Sequence, residues 1–192
     1  EEFFGAMDAA NIDLKAFTED FYHSLCTAHL APVLETCVYL KEETDVWFEL
    51  TTLLIPGEND GEAEIEELSQ WVMDNLGPDV PIHFSAFHPD FRMLDKPRTP
   101  PETLLAAHRI AKQAGLNHVY TGNIHHPPTD TTYCPGCSAP LIVRDWYELN
   151  SWNIGQGGHC KSCGTPIAGV FEDQPGTWGR KRQRVRMMGQ SA

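Results

Sequence analysis

The sequence has 192 residues, 41% hydrophobic and 21% charged, which is enough apolar material for one ordinary domain core and a small appended unit. A formal net charge of −13 argues against nucleic acid as the main partner, because phosphate binding needs a basic footprint. No run approaches the roughly eighteen apolar residues of a membrane span and nothing at the N-terminus resembles a secretory signal, so the reading is cytoplasmic with no membrane partner.

The chain opens at Glu1-Glu2-Phe3-Phe4-Gly5 without a methionine and reads as a piece of something longer. Residues 10–17 alternate as a strand, with Asn11, Asp13 and Lys15 on one face and Ile12 and Leu14 on the other. Thr18 is placed to cap a helix whose first turn holds Glu19 and Asp20, and Pro32 suits the first turn of a second helix that runs to about Glu43. Cys26 and Cys37 fall in these apolar helical patterns and read as buried packing residues. Residues 46–55 are nearly apolar along their whole length, as strands covered on both faces are. A turn at residues 56–61 then offers Asp60 as N-cap to a helix with Ile65, Leu68, Trp71 or Val72, and Leu76 as its buried stripe, stopped by Gly77-Pro78.

A strand over residues 80–87 leads into a proline-containing loop headed by His88. Thr99-Pro100-Pro101-Glu102 has the form of a capping box opening a helix that ends at Gly115, and residues 117–121 make a last short strand. The alternation predicts an α/β layout with a mostly parallel sheet. Ligands in such sheets gather at the carboxyl ends of the strands, which is where Asp13, Lys15, the 55–60 turn, His88 and Gly122-Asn123 fall.

Tyr133-Cys134-Pro135-Gly136-Cys137 is answered by Cys160-Lys161-Ser162-Cys163-Gly164 after twenty-two intervening residues. Cysteines at i and i+3 of a tight turn aim both sulfurs at one point, and a second pair completes the tetrahedron that Zn²⁺ prefers. Cys134, Cys137, Cys160 and Cys163 therefore read as ligands of a structural zinc, with iron as a minor variant and two disulfides as the competing reading. His125-His126 just upstream read as linker residues before ligands. The basic run Arg180-Lys181-Arg182-Gln183-Arg184-Val185-Arg186 reads as a solvated extension before a docking site for an acidic surface.

Asp13-Leu14-Lys15, Leu54-Ile55-Pro56-Gly57 followed by Asn59-Asp60, and Phe87-His88-Pro89 resemble the second half of radical S-adenosylmethionine (SAM) enzymes of the pyruvate formate-lyase activating enzyme type. Gly5-Ala6-Met7-Asp8-Ala9-Ala10-Asn11 and onward through Phe17, Ala86-Phe87-His88-Pro89-Asp90-Phe91, Tyr120-Thr121-Gly122-Asn123 and the four-cysteine knuckle resemble the radical SAM member of the AmmeMemoRadiSam system. The resemblance implies the second half of a partial (β/α) barrel over residues 1–124, a small rubredoxin-like zinc ribbon over 125–178 and a basic tail over 179–192. It also implies an oxidoreductase in which a [4Fe-4S] cluster holds SAM, reductive cleavage gives a 5′-deoxyadenosyl radical, and that radical takes hydrogen from a substrate. By the same resemblance Lys15 would meet the methionine carboxylate, Asp13 a cation or hydroxyl, and His88 the nucleoside, while the substrate, a small molecule or a partner protein, stays open. Without it, Asp13 and Lys15 would be an ion pair within the sheet and His88 a loop histidine. Glu49 and His83 are polar residues near a substrate at most.

Two family motifs are missing. The sequence holds neither the Cys-x3-Cys-x2-Cys loop that ligates three irons nor the Gly-Gly-Glu segment for the SAM amino group, and Cys26 and Cys37 cannot replace them. The expectation is a portion that by itself holds neither the cluster nor productively bound SAM, its upstream half lost by truncation or incomplete gene assembly, or else an inactive stand-alone protein. The alternatives are a zinc-ribbon docking module without catalysis and redox exchange at one cysteine pair.

Overall fold

The computed structural model describes residues 3–176, so the basic tail and the last residues assigned to the ribbon lie outside the described residues. Strands β1 (Ala9–Asp13), β2 (Trp47–Leu54), β3 (Ile82–Ala86) and β4 (Val119–Gly122) form one parallel sheet in the order β1-β2-β3-β4. Between them run a short α1 (Glu19–Phe21) continued by a π-helical turn over Tyr22–Cys26, then α2 (Leu30–Glu43), α3 (Glu62–Leu76) and α4 (Pro101–Gln113). α5 (Pro127–Asp130) leads from the sheet into the small unit. That unit has an antiparallel sheet of β5 (Thr132–Tyr133), β6 (Pro140–Asp145) and β7 (Glu148–Trp152), and a second pair, β8 (Ile154–Gly155) and β9 (His159–Cys160). No helix among the described residues is long and apolar enough to cross a membrane.

The core lies on one side of the parallel sheet. Phe48, Leu50 and Leu54 of β2 with Ile82 and Phe84 of β3 pack against Ile65, Leu68, Val72 and Leu76 of α3 and Leu104, Ala107 and Ala111 of α4. Each fully buried leucine or phenylalanine contributes about 1.5–3 kcal/mol of transfer free energy. The predicted stripe of α3 is the observed one, with Val72 rather than Trp71 at its buried position. β2, however, is not covered on both faces. Its residues alternate between half-buried and buried, because Glu49 and Thr51 are the polar alternates of a period-2 pattern that the flanking apolar residues obscure.

Local chemistry departs from expectation at several strand and helix ends. β1 stops at Asp13, so Lys15 is not a strand residue. Beyond Asp13 side chains take over the backbone: Thr52 Oγ1 donates to the Leu14 carbonyl at 2.7 Å, Lys15 N–H to the Tyr22 hydroxyl at 3.0 Å, and Asn59 Nδ2 to the Lys15 carbonyl at 2.6 Å. Asp60 does not cap α3, whose N-cap is Gly61. Its carboxylate instead accepts the Gly57 N–H at 2.8 Å and closes the turn. Thr18 occupies the N-cap of α1 without a side-chain cap bond. The capping box at Thr99 does not form either, since Pro100 is the N-cap of α4 and the buried Thr99 hydroxyl ties two strand ends, donating to the Leu54 carbonyl at 2.6 Å and accepting Phe87 N–H at 2.8 Å. Cys37 is buried as expected, whereas Cys26 is only partly so.

Candidate functional site

All four strands of a parallel sheet end on one rim. Asp13 closes β1, and His88 lies two residues beyond β3 and is exposed. Lys15 Nζ lies 2.9 Å from Asp13 Oδ2, with both side chains partly open to solvent. The rim is held by the buried Asn59, whose amide donates to the carbonyls of Lys15 and Leu53 and accepts Ile55 N–H at 2.7 Å. Gly122 packs against Ser85, whose hydroxyl would have to turn away from a Cβ placed there, at 2.6 Å. Asn123 follows in the left-handed region, φ 61°, and donates to the Ala86 carbonyl at 3.1 Å.

The sheet face away from α3 and α4 carries a polar row. In register across the strands run Asp13, Thr51, His83 and Tyr120, so their side chains leave the same face. Glu49 sits two residues earlier on β2, opposite Asn11, and Thr51 Oγ1 donates to Asn11 Oδ1 at 3.0 Å. His83 Nε2 lies 2.7 Å from Glu49 Oε2. This bond, ahead of the opposing effect of burial, holds the Glu49 carboxyl below its ordinary range. The His83 ring stacks on Tyr120 with centroids 5.0 Å apart. Burial pushes the Tyr120 phenol up, and its hydroxyl is 2.8 Å from Thr132 Oγ1. Sequence reasoning gave Glu49 and His83 no role, and their separation of 34 residues left no local signal that they pair.

Over β3 and β4 this face meets the small unit. Arg144 of β6 donates from Nη1 to the Asp130 carbonyl at 3.0 Å and to Thr132 Oγ1 at 2.8 Å, with Cζ 5.6 Å from the Tyr120 ring centre. Between the two parts lies a cavity of about 500 Å³ lined by Glu49, His83, Tyr120, Asp130, Arg144 and the hairpin tip Trp146-Tyr147, among others. His125 pairs with Asp145 at 3.0 Å and His126 with Thr129 at 2.9 Å, so both act in the connection between sheet and ribbon.

The four knuckle cysteines converge as their spacing requires. Their sulfurs all lie within 4.8 Å of one another, with Cys134–Cys163 at 3.6 Å and Cys137–Cys160 at 3.8 Å. A tetrahedron with metal–sulfur bonds of about 2.3 Å has edges of about 3.8 Å, so the donor set fits a single four-coordinate ion. The sulfurs are too far apart for the disulfide reading, and all six cysteines are free. Ser138 and Gly164 occupy equivalent places in the two turns, at φ 59° and 78°, donating to the carbonyls of Cys134 and Cys160 at 2.8 Å. Ser138 thus adopts the left-handed geometry that glycine supplies in the second turn. Among the described residues no other group of three or more His, Cys, Asp or Glu side chains could hold a metal, and Cys26 and Cys37 belong to none.

No family model matches the chain. The chain is 42% identical over 162 residues to the uncharacterized protein MJ0808 of Methanocaldococcus jannaschii. That match takes in 84% of this chain and 48% of that protein, so the chain spans about half the length of the curated relative it matches. Among solved structures, a domain of pyruvate-formate lyase-activating enzyme from Bacteroides vulgatus superposes with a TM-score of 0.55 at 19% identity, covering 64% of this chain and 71% of that one. A radical SAM methyltransferase from Sphaerobacter thermophilus gives a TM-score of 0.49 at 19% identity over 58% of this chain and 32% of its own. The parallel sheet and its helices thus share the fold of the activating-enzyme domain, with a four-cysteine ribbon attached.

Proposed function

We propose that these 192 residues form the C-terminal portion of a radical SAM enzyme, with SAM and substrate meeting over the open face of the parallel sheet and the [4Fe-4S] cluster carried by polypeptide outside this sequence. One observation carries the reading: the sheet is apolar on its helix-covered side and polar on the other, and its polar row runs in register from Asp13 to Tyr120 on a fold shared with an activating-enzyme domain. In such an enzyme SAM is the source of a 5′-deoxyadenosyl radical that removes hydrogen from the substrate. The part of this chain is to hold and orient both molecules.

Lys15 has three ammonium donors and uses one on Asp13, which leaves two for the methionine carboxylate of SAM. Asp13 suits a monovalent cation or a ribose hydroxyl, and His88, exposed beyond β3, suits the adenosine. Residues 1–124 carry this work. In the ribbon unit Cys134, Cys137, Cys160 and Cys163 hold a structural Zn²⁺, and a cytoplasmic setting would keep those thiolates reduced. The AmmeMemoRadiSam system is the branch whose sequence blocks this chain most resembles.

The test is to join the chain to the half of the Methanocaldococcus relative that it does not match, reconstitute iron and sulfide without oxygen, and measure 5′-deoxyadenosine under a strong reductant. The expected result is cluster iron bound alongside zinc and SAM cleavage that falls about 10- to 100-fold in Asp13→Ala and in Lys15→Ala, the loss expected for a charge-assisted hydrogen bond. Full iron loading without cleavage, or cleavage indifferent to both substitutions, sinks the reading.

A further inference from the structure

The tip of the ribbon hairpin is built against local preference. β6 and β7 are joined by two residues, Trp146 and Tyr147, between the paired Asp145 and Glu148. Trp146 has φ 53° at the first central position, where two-residue turns take glycine or asparagine. Nothing in the core rewards this choice. Trp146 is 51% exposed and Tyr147 70%, and neither ring stacks on another aromatic ring among the described residues. What the two side chains do is line the cavity that faces the polar row.

The opposite wall is rigid. Tyr120 is held by the His83 stack and by Thr132, with the Arg144 guanidinium over its ring. Arg144 uses Nη1 on Asp130 and Thr132, which fixes its plane and leaves its other edge as a donor. Glu49 has His83 on Oε2 and accepts from Trp47 Nε1 at 3.5 Å on Oε1, and each carboxylate oxygen keeps a second acceptor site. At about 500 Å³ the space has the volume of a small-molecule site, its walls formed by aromatic side chains and Ile124 with polar and charged groups between them.

We propose that this cavity binds a planar aromatic ring with a hydrogen-bonding edge, of the phenol, indole or nitrogen-heterocycle class, and that the ribbon hairpin is the element that selects it. Trp146 and Tyr147 close over the ring from one side, Tyr120 supports it from the other, and Glu49 and Arg144 read its polar edge. The assignment of this ring to a substrate rests on the enzyme reading above. The binding itself does not, because it needs neither SAM nor cluster. The adenine of SAM is also such a ring, so the test separates the two sources.

The zinc-loaded chain is titrated by calorimetry and ligand-detected NMR with p-cresol, indole and 5′-deoxyadenosine, with cyclohexanol as the saturated control. The expected result is binding of p-cresol or indole at about millimolar concentration or tighter, with cyclohexanol at least about tenfold weaker. Trp146→Gly should weaken ring binding by about 5- to 100-fold, the range of a lost aromatic stack, while raising the melting temperature because glycine fits the turn. A merely structural tryptophan would give the reverse pattern. Equal binding of cyclohexanol, or ring affinity unchanged in Trp146→Gly, overturns the proposal. So does binding of 5′-deoxyadenosine alone with sensitivity to His88→Ala, which would give the cavity to the cofactor. Failure of ring binding while the joined protein still cleaves SAM removes this site and leaves the enzyme reading in place. Ring binding that depends on Trp146 in a protein unable to cleave SAM does the opposite.

Discussion

Asn59 is 2% exposed, and its one amide serves three backbone groups from two segments, the Lys15 carbonyl and the Leu53 and Ile55 groups at the end of β2. Truncating it leaves two carbonyls and an N–H without partners in a dry place, so Asn59→Ala should cost about 2–4 kcal/mol and lower the melting temperature by about 5–15 °C. An unchanged melting curve would show that water replaces the side chain at no loss. Glu49 belongs to the same scale. Its carboxyl lies below the ordinary glutamate value of 4.5 because of the bond to His83, so the folded state holds this proton less tightly than the unfolded state does. The resulting stability is present above about pH 4.5 and is lost as pH falls through the lower folded value. Glu49→Gln should therefore flatten the acid limb of the stability profile relative to wild type, with the two curves running parallel at higher pH. Denaturant melts from pH 3 to pH 7 would read the difference, and identical acid limbs would show that the pair carries no linkage.

At the level of elements, a third of the ribbon's small buried cluster is cysteine. That cluster is Cys134, Leu141, Ile142, Ile154, Cys160 and Ile167, with Trp152 and Phe171 packed against it, and two of those six are sulfur donors. Structural zinc is worth about 10–16 kcal/mol in finger peptides, as much as these few apolar side chains provide together. Stripping the metal with a chelator should abolish the near-ultraviolet signal of Trp152 while α2, α3 and α4 keep their far-ultraviolet signal. Loss of both together would mean that sheet and ribbon fold as one unit. The order of these elements was legible because apolar periodicity is a local property, and the stripe of α3 could be named residue by residue. Their ends were not, because Thr99, Asp60 and Thr18 are capping residue types whose partners are decided elsewhere. Thr99 bonds to Leu54, 45 positions away. The convergence of the four cysteines was legible, since cysteine spacing within a turn fixes where the sulfurs point, whereas Asp145-Trp146-Tyr147-Glu148 carries no glycine or asparagine to mark its turn.

For the whole molecule the decisive fact is that the helices cover the parallel sheet on one side and leave the other to the small unit over β3 and β4. β2 and β3 have a hydrogen-bonded neighbour on each flank, while β1 has one and alternates between exposed and half-buried residues. Amide exchange should accordingly be slowest in β2 and β3 and at least about tenfold faster in β1. Uniform protection across the four strands would contradict that ranking. That Asp13, Lys15 and His88 fall at or just beyond strand ends was legible from the order of the elements. The cavity was not, because it needs the strand register and the hairpin at once. That register has a further consequence. Parallel strands repeat at about 4.8 Å, so from Asp13 on β1 to Tyr120 on β4 is three fixed steps, about 14 Å. The backbone is a ruler with discrete marks: exchanging side chains along the row alters what is gripped at each mark but leaves the span between them untouched. New reactivity can then arise at the far mark without resetting the distance to the near one.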